Sequence, residues 1–249
     1  MRILLFTTLS FLISLNTFSQ AWVDCGIKGG YGVTMLTNGN IWSEPSVEPL
    51  ISPGYSYGGK LGLNFNLNYQ ITTDFLFRSA NQKYLFQPNG GDSDWTKNIK
   101  YTSFDIPLLF RHNSENGSFL ELGPQISFIS GAEETLDGNT TDMSNYFAKT
   151  NFGAVVGFGS FMLGAQNTYL VFGLRVHYGF QDLLTSEAGK GQNAYYPINK
   201  GELDDVEPGF QFDKYQKTSP LSALLYLELN YDLAYLVRSE CKRTALRFF

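Results

Sequence analysis

Few side chains in this sequence could do chemistry, and their types set the candidates. Only two histidines are present, His112 and His177. His177 shares an alternating face with Arg175, and Ser222 and Glu228 share one on a later segment. Serine, imidazole and carboxylate are the parts of a nucleophilic hydrolase if they meet at one depth; otherwise His177 belongs to a polar network. His112 falls in a short turn. Asp137-Gly-Asn-Thr-Thr-Asp142 offers oxygens at a spacing loosely like a calcium loop but lacks the terminal glutamate, so a polar turn is the plainer reading. Neither a metal nor a cofactor is expected. The largest set is nine charges: Lys28, Lys60, Arg78, Arg111 and Arg175 with Asp74, Asp105, Glu121 and Glu228. They could line a pore or pair into a salt-bridged core that includes His177.

Two further features could bind or link. The stretch from Leu183 to Lys217 holds Tyr195, Tyr196, Phe210 and Phe212 among acids such as Asp204 and Asp205. A long loop of that composition suits a contact surface for a partner or glycan, or plain disorder. Cys25 and Cys241 are the only cysteines. One precedes the first strand and the other follows the last, so a disulfide is an expectation in an oxidising compartment.

The elements that must position these residues show in the alternation. In Tyr169–Phe180, Leu170, Phe172, Leu174, Val176, Tyr178 and Phe180 share one face, and Arg175 and His177 lie on the other. A strand sends successive side chains to opposite sides, so this is a strand with one apolar face. Seven more follow: about Gly26–Leu36, Tyr55–Leu67, Tyr69–Phe86, Ile99–Arg111, Ser118–Ser130, Thr150–Met162 and Pro220–Tyr235. Connections after the second, fourth and sixth are short, whereas the others are long. That asymmetry marks an outer-membrane barrel with turns in the periplasm and loops outside. The predicted fold class is all-β, an eight-stranded antiparallel up-and-down transmembrane β-barrel, with both termini periplasmic.

Composition agrees. Charged residues are 16% of the chain and aromatics another 16%, with a formal charge of −5. Aromatic richness excludes a disordered chain, and the acidic balance argues against nucleic acid. Arg2 followed by apolar Ile3–Leu15 and small, polar Thr17–Ala21 reads as a signal peptide. The expected organisation is a signal peptide over 1–20, a barrel over 21–236 and a periplasmic tail over 237–249. A cation facing lipid costs about 2–4 kcal/mol at mid-membrane, so the nine charges belong in the lumen. A soluble barrel with an apolar interior would put them in water instead and handles them equally well. Eight strands leave a lumen that side chains just fill, which favours a packed polar core over a channel. Pro107 and Pro124, inside strands, are expected at a paired bulge.

Tyr101-Thr-Ser-Phe-Asp-Ile-Pro-Leu-Leu-Phe-Arg111, a short turn and Phe119-Leu-Glu-Leu-Gly-Pro-Gln-Ile-Ser127 together resemble the PorT-like outer-membrane β-barrel family of Bacteroidota. Phe152–Gly159 and Leu174–Gly179 resemble its next hairpin. The resemblance implies an outer-membrane barrel, and its namesake takes part in type IX secretion. No residue here singles out that role. The expected function is a non-enzymatic envelope component or partner-binding barrel, accessory to an export or uptake complex. Its partners would be outer-membrane lipid and other envelope proteins. A small-ligand or narrow porin-like barrel is the alternative, and a lipid-modifying enzyme the weakest reading.

Overall fold

The computed structural model describes residues 21–43, 45, 47–86, 95–136, 138–185 and 216–237. Ten strands are present: β1 (Ala21–Thr37), β2 (Val47–Leu50), β3 (Ser52–Asn64), β4 (Tyr69–Phe86), β5 (Trp95–Asn113), β6 (Ser118–Leu136), β7 (Asn139–Asp142), β8 (Thr150–Ala165), β9 (Thr168–Gly179) and β10 (Ser219–Val237). Eight of them close a ring in the order β1-β3-β4-β5-β6-β8-β9-β10, all antiparallel, with β10 returning to β1. The short β2 and β7 lie outside the ring and pair with the far ends of β4 and β6. No described helix is long and apolar enough to cross a membrane.

The orientation of the faces separates the two readings that alternation left open. Apolar side chains point outward: Tyr57, Phe77, Leu108, Leu122, Phe158 and Leu227 are each more than half exposed. A soluble barrel would bury them. A continuous apolar band around a closed ring needs lipid. Tyr55, Tyr57, Tyr178 and Phe180 ring one end of the band, and Tyr69 and Tyr231 the other, as amphipathic rings do at membrane interfaces.

Polarity inverts at one height. Below it, the interior is polar and the exterior apolar. Above it, towards the long connections, Leu36, Tyr84, Ile99, Tyr101, Ile129 and Ala132 point inward as an apolar cluster, with Gln82, Lys97 and Glu134 as buried polar neighbours. Ile41 from a short helix α1 (Gly39–Trp42) and Phe147, Leu183 and Leu184 from the connections complete the cluster. Outward positions there on β4 and β5 are mostly polar, Asn81, Lys83, Asn98, Lys100 and Thr102, with Leu85 the exception. This half is built like a soluble barrel, and its apolar cluster closes the lumen at that end.

Several local expectations shift. The second expected strand ends at Asn64 and not at Leu67, because the Asn66 Oδ1 accepts the backbone N–H groups of Asn68 and Tyr69, each at 2.8 Å, and turns the chain. β1 starts at Ala21, so Cys25 sits inside it and not before it. Cys25 is half-buried opposite Leu61 and Tyr231 and makes no disulfide among the described residues; Cys241, its expected partner, lies outside them. His112 belongs to β5 and not to a turn, and its ring lies 5.0 Å from that of Tyr69. The pairing register carries past Pro107 and Pro124 without a shift, and the bulge in this sheet region falls between Thr102 and Ser103. β10 reaches Val237, one residue into the expected tail.

Candidate functional site

The lumen is the candidate site, and strand alternation builds it. Lys28 projects from β1, Lys60 from β3, Asp74 and Arg78 from β4, Asp105 and Arg111 from β5, Glu121 from β6, Arg175 and His177 from β9, and Glu228 from β10. All ten predicted lumenal residues are buried. Six of them close a ring of alternating charge. Lys28 Nζ meets Asp74 at 2.8 Å and Glu228 at 2.7 Å. Arg175 bridges Asp74 at 2.6 Å and Glu121 at 2.7 Å. Arg111 joins Glu121 at 2.9 Å to Glu228 at 3.1 Å. Lys60 extends the ring from Glu228, at 2.9 Å, to Asp24, at 3.1 Å. Arg78 pairs separately with Asp105 at 2.9 Å.

Asp24 was not among the expected residues. It shares inward parity with Lys28, and that parity was the available signal. It accepts from Asn64 at 2.7 Å, Gln70 at 2.5 Å and the Tyr169 hydroxyl at 2.9 Å. Tyr169 therefore points inward. With Asp24 the network holds five cations and five anions, so its formal charge is zero. Such compensation is what a low-dielectric lumen requires, since one uncompensated buried charge costs several kcal/mol.

Aromatic faces and backbone space complete the packing. The Tyr226 ring lies 4.8 Å from Lys28 Nζ and 5.1 Å from the Arg175 guanidinium, and its hydroxyl donates to Glu121 at 3.1 Å. Phe119 lies 4.3 Å from the Arg111 guanidinium. β8 contributes none of the ten network charges. A Cβ at Gly157 would stand 2.5 Å from Glu121 Oε1, and one at Gly159 would stand 2.5 Å from the Phe119 ring. Glycine on this strand is the space that the network occupies.

Arg78 decides the role of His177. Its Nη1 lies 3.2 Å from His177 Nδ1 and 3.2 Å from Ser222 Oγ. A guanidinium can only donate, so Nδ1 accepts and Nε2 carries the ring proton. Neither Ser222 nor Glu228 bonds to the imidazole. Glu228 is held by Lys28, Lys60 and Arg111, six residues from Ser222 along β10, about 20 Å at strand rise. The three residues do not form a hydrolytic constellation. A cavity of about 30 Å³ beside them, lined in part by Arg78, Asp105, His177 and Ser222, has room for about two waters.

The remaining candidates resolve differently. Asn139–Asp142 form β7, and Asp142 Oδ1 accepts the Ser144 hydroxyl at 2.6 Å and its backbone N–H at 2.9 Å. Those two bonds hold the Asp142 carboxyl below its ordinary range. No metal-binding cluster occurs among the described residues. Tyr195, Tyr196, Asp204, Asp205, Phe210 and Phe212 lie outside the described residues. A second buried pair, Lys97 with Glu134 at 2.9 Å, sits near the apolar end. Sequence reading had left both in connections.

Comparison with known proteins finds a family by sequence and several similar solved structures. The sequence profile of the family described as "Outer membrane protein beta-barrel domain" matches residues 18–185. No curated protein matches the chain. Among solved structures, Neisserial surface protein A is similar at 11% identity, covering 84% of this chain and 97% of that one, with a TM-score of 0.42. Ail of Yersinia pestis, in complex with the heparin analogue sucrose octasulfate, is similar at 10% identity, covering 84% and 99%, with a TM-score of 0.39. OprG of Pseudomonas aeruginosa is similar at 10% identity, covering 86% and 96%, also with a TM-score of 0.39.

Proposed function

The chain belongs to the outer membrane protein beta-barrel domain family, and we propose that within the outer membrane it is a non-enzymatic envelope component that acts through its loop end, as a partner-binding barrel accessory to an export or uptake complex. One observation carries this reading: the lumen is filled. A charge-neutral ion-pair ring fills its membrane half and an apolar cluster the other, and the cavity beside His177 has room for about two waters. That packing counts against a porin-like path or a small-ligand site, and the Arg78–His177 contact counts against hydrolysis. In this reading the long connections face the outside and both termini the periplasm. The Tyr101–Arg111 and Phe119–Ser127 motifs support a place in the PorT-like branch of Bacteroidota.

Two measurements test it. Purified barrel in a planar bilayer should give no steady conductance, and a large stable conductance would overturn the filled-lumen argument. Native outer membranes solubilised mildly should yield the barrel together with specific envelope proteins. Recovery of the barrel alone, under conditions that preserve other envelope complexes, would count against a partner-binding role.

A further inference from the structure

The inverted half of the barrel carries an outward surface that the filled lumen does not use. On β4 and β5 the outer faces run together through the cross-strand pairs Phe77–Phe104, Ser79–Thr102, Asn81–Lys100 and Lys83–Asn98. The aromatic pair has ring centroids 5.1 Å apart. The next three steps are hydroxyl, amide and ammonium, with Ser79 itself buried, before the face reaches Leu85 opposite Thr96. Lys83 and Lys100 are diagonal neighbours on this face, and both are exposed. Diagonal positions lie about 7 Å apart, close enough for both ammonium groups to reach one phosphate. Neither has an ion-pair partner among the described residues, and Glu133, opposite Lys100 on β6, is not bonded to it. By contrast, Lys28, Lys60 and Lys97 are all ion-paired inside.

Height selects the partner. Lys100 lies four residues beyond Phe104 and Lys83 six beyond Phe77. At strand rise and a tilt near 40°, these are about 10 and 15 Å above the aromatic step. The polar layer of a phospholipid leaflet adds only about 5–8 Å to the hydrocarbon. A phosphate that meets both lysines must therefore stand on a taller headgroup. We propose that the outer face of β4 and β5 above Phe77 and Phe104 binds the phosphorylated saccharide headgroup of an outer-leaflet glycolipid, through Lys83 and Lys100 flanked by Asn98 and Thr102. The inference rests on the reading that the long connections face outward.

The test compares the urea midpoint of the full barrel in phosphatidylcholine vesicles with and without lipopolysaccharide. Lipopolysaccharide should stabilise the native protein. Each lysine near a charged headgroup is worth about fivefold in affinity, so K83E/K100E should bind about 25-fold more weakly and lose the stabilisation. K217E, on the exposed segment before β10 across the ring from this face, should keep it. Phosphatidylglycerol in place of lipopolysaccharide should not reproduce the effect; equal stabilisation by it would make an ordinary phospholipid the occupant and overturn the proposal. So would an undiminished effect in K83E/K100E. Orientation has its own readout: with Cys25 and Cys241 replaced by serine, Asn139→Cys should react with a membrane-impermeant maleimide on whole cells. Failure there refutes the outward reading itself, whereas labelling without lipopolysaccharide dependence refutes only the headgroup site.

Discussion

Replacing Arg111 with methionine removes the most connected cation of the lumen. Its guanidinium donates from Nε and Nη2 to Glu121, at 3.1 and 2.9 Å, and from Nη1 and Nη2 to Glu228, at 3.2 and 3.1 Å. Methionine keeps most of the volume and the contact with Phe119, so the change is mainly one of charge. Breaking a buried pair typically costs 3–5 kcal/mol, because the partner stays buried and uncompensated. Here Glu121 retains Arg175, and Glu228 retains Lys28 and Lys60. That puts the expected loss at the low end, about 3 kcal/mol, or roughly a hundredfold in the folding equilibrium. Arg111→Met/Glu121→Gln restores neutrality and should recover most of it, leaving a deficit of about 1 kcal/mol. Equilibrium urea unfolding in vesicles measures both. A single variant within 1 kcal/mol of the native protein, or a double variant worse than the single, would refute charge balance as the organising feature of the lumen.

Other expectations follow from the same geometry. Gly157→Val forces a side chain into Glu121 and should cost about 1–3 kcal/mol, whereas Gly29→Ala, with nothing within 4 Å of its new Cβ, should leave the urea midpoint unchanged. Leu122→Arg puts a cation in mid-band and should cost about 2–4 kcal/mol, but Thr135→Arg, on the polar outer face of β6, should cost under about 1 kcal/mol; equal costs would refute the polarity inversion. Ile99→Ala empties part of the apolar end and should cost about 2–4 kcal/mol in the same assay, and a neutral result would mean that this end is not packed.

Strand number, ring order and the direction of all ten lumenal side chains were legible because period-2 alternation encodes them directly. What alternation could not decide was which face is inside. Both a membrane barrel and a soluble barrel read the same, and only the closed ring with exposed Leu122 and Phe158 separates them. Asp24 escaped because β1 was begun at Gly26, although its parity with Lys28 was visible. The inward turn of the Tyr169 hydroxyl was not legible, since the acceptor that draws it sits on β1, 145 residues away. Lys97 and Glu134 were placed in connections because the strands extend past the membrane, where no apolar outer face signals them. Turn chemistry at Asn66 outcompeted the apolar alternation of Phe65 and Leu67.

The polarity inversion explains why these strands are longer than a membrane needs. A crossing takes about 9–11 residues, yet β4, β5, β6 and β10 run to 18 or 19. The first stretch of each satisfies lipid outside and must fill a narrow lumen with polar groups. Ion pairs fill it only where carboxylates and cations balance, and glycines on β8 leave them room. The remaining length stands in water, where the rule reverses and the interior becomes an ordinary apolar core. Residues of the long connections fold down onto that core and not across an open mouth, as Phe147 stacking on Tyr101 shows. The described part of the connections therefore rests on a packed apolar end, and changes to exposed residues there should alter binding without altering the fold beneath. A variant carrying several polar substitutions on the outer face above Phe104 tests this: its urea midpoint should match that of the native protein while partner or headgroup binding changes, and a parallel loss of stability would show that surface and barrel are not separable.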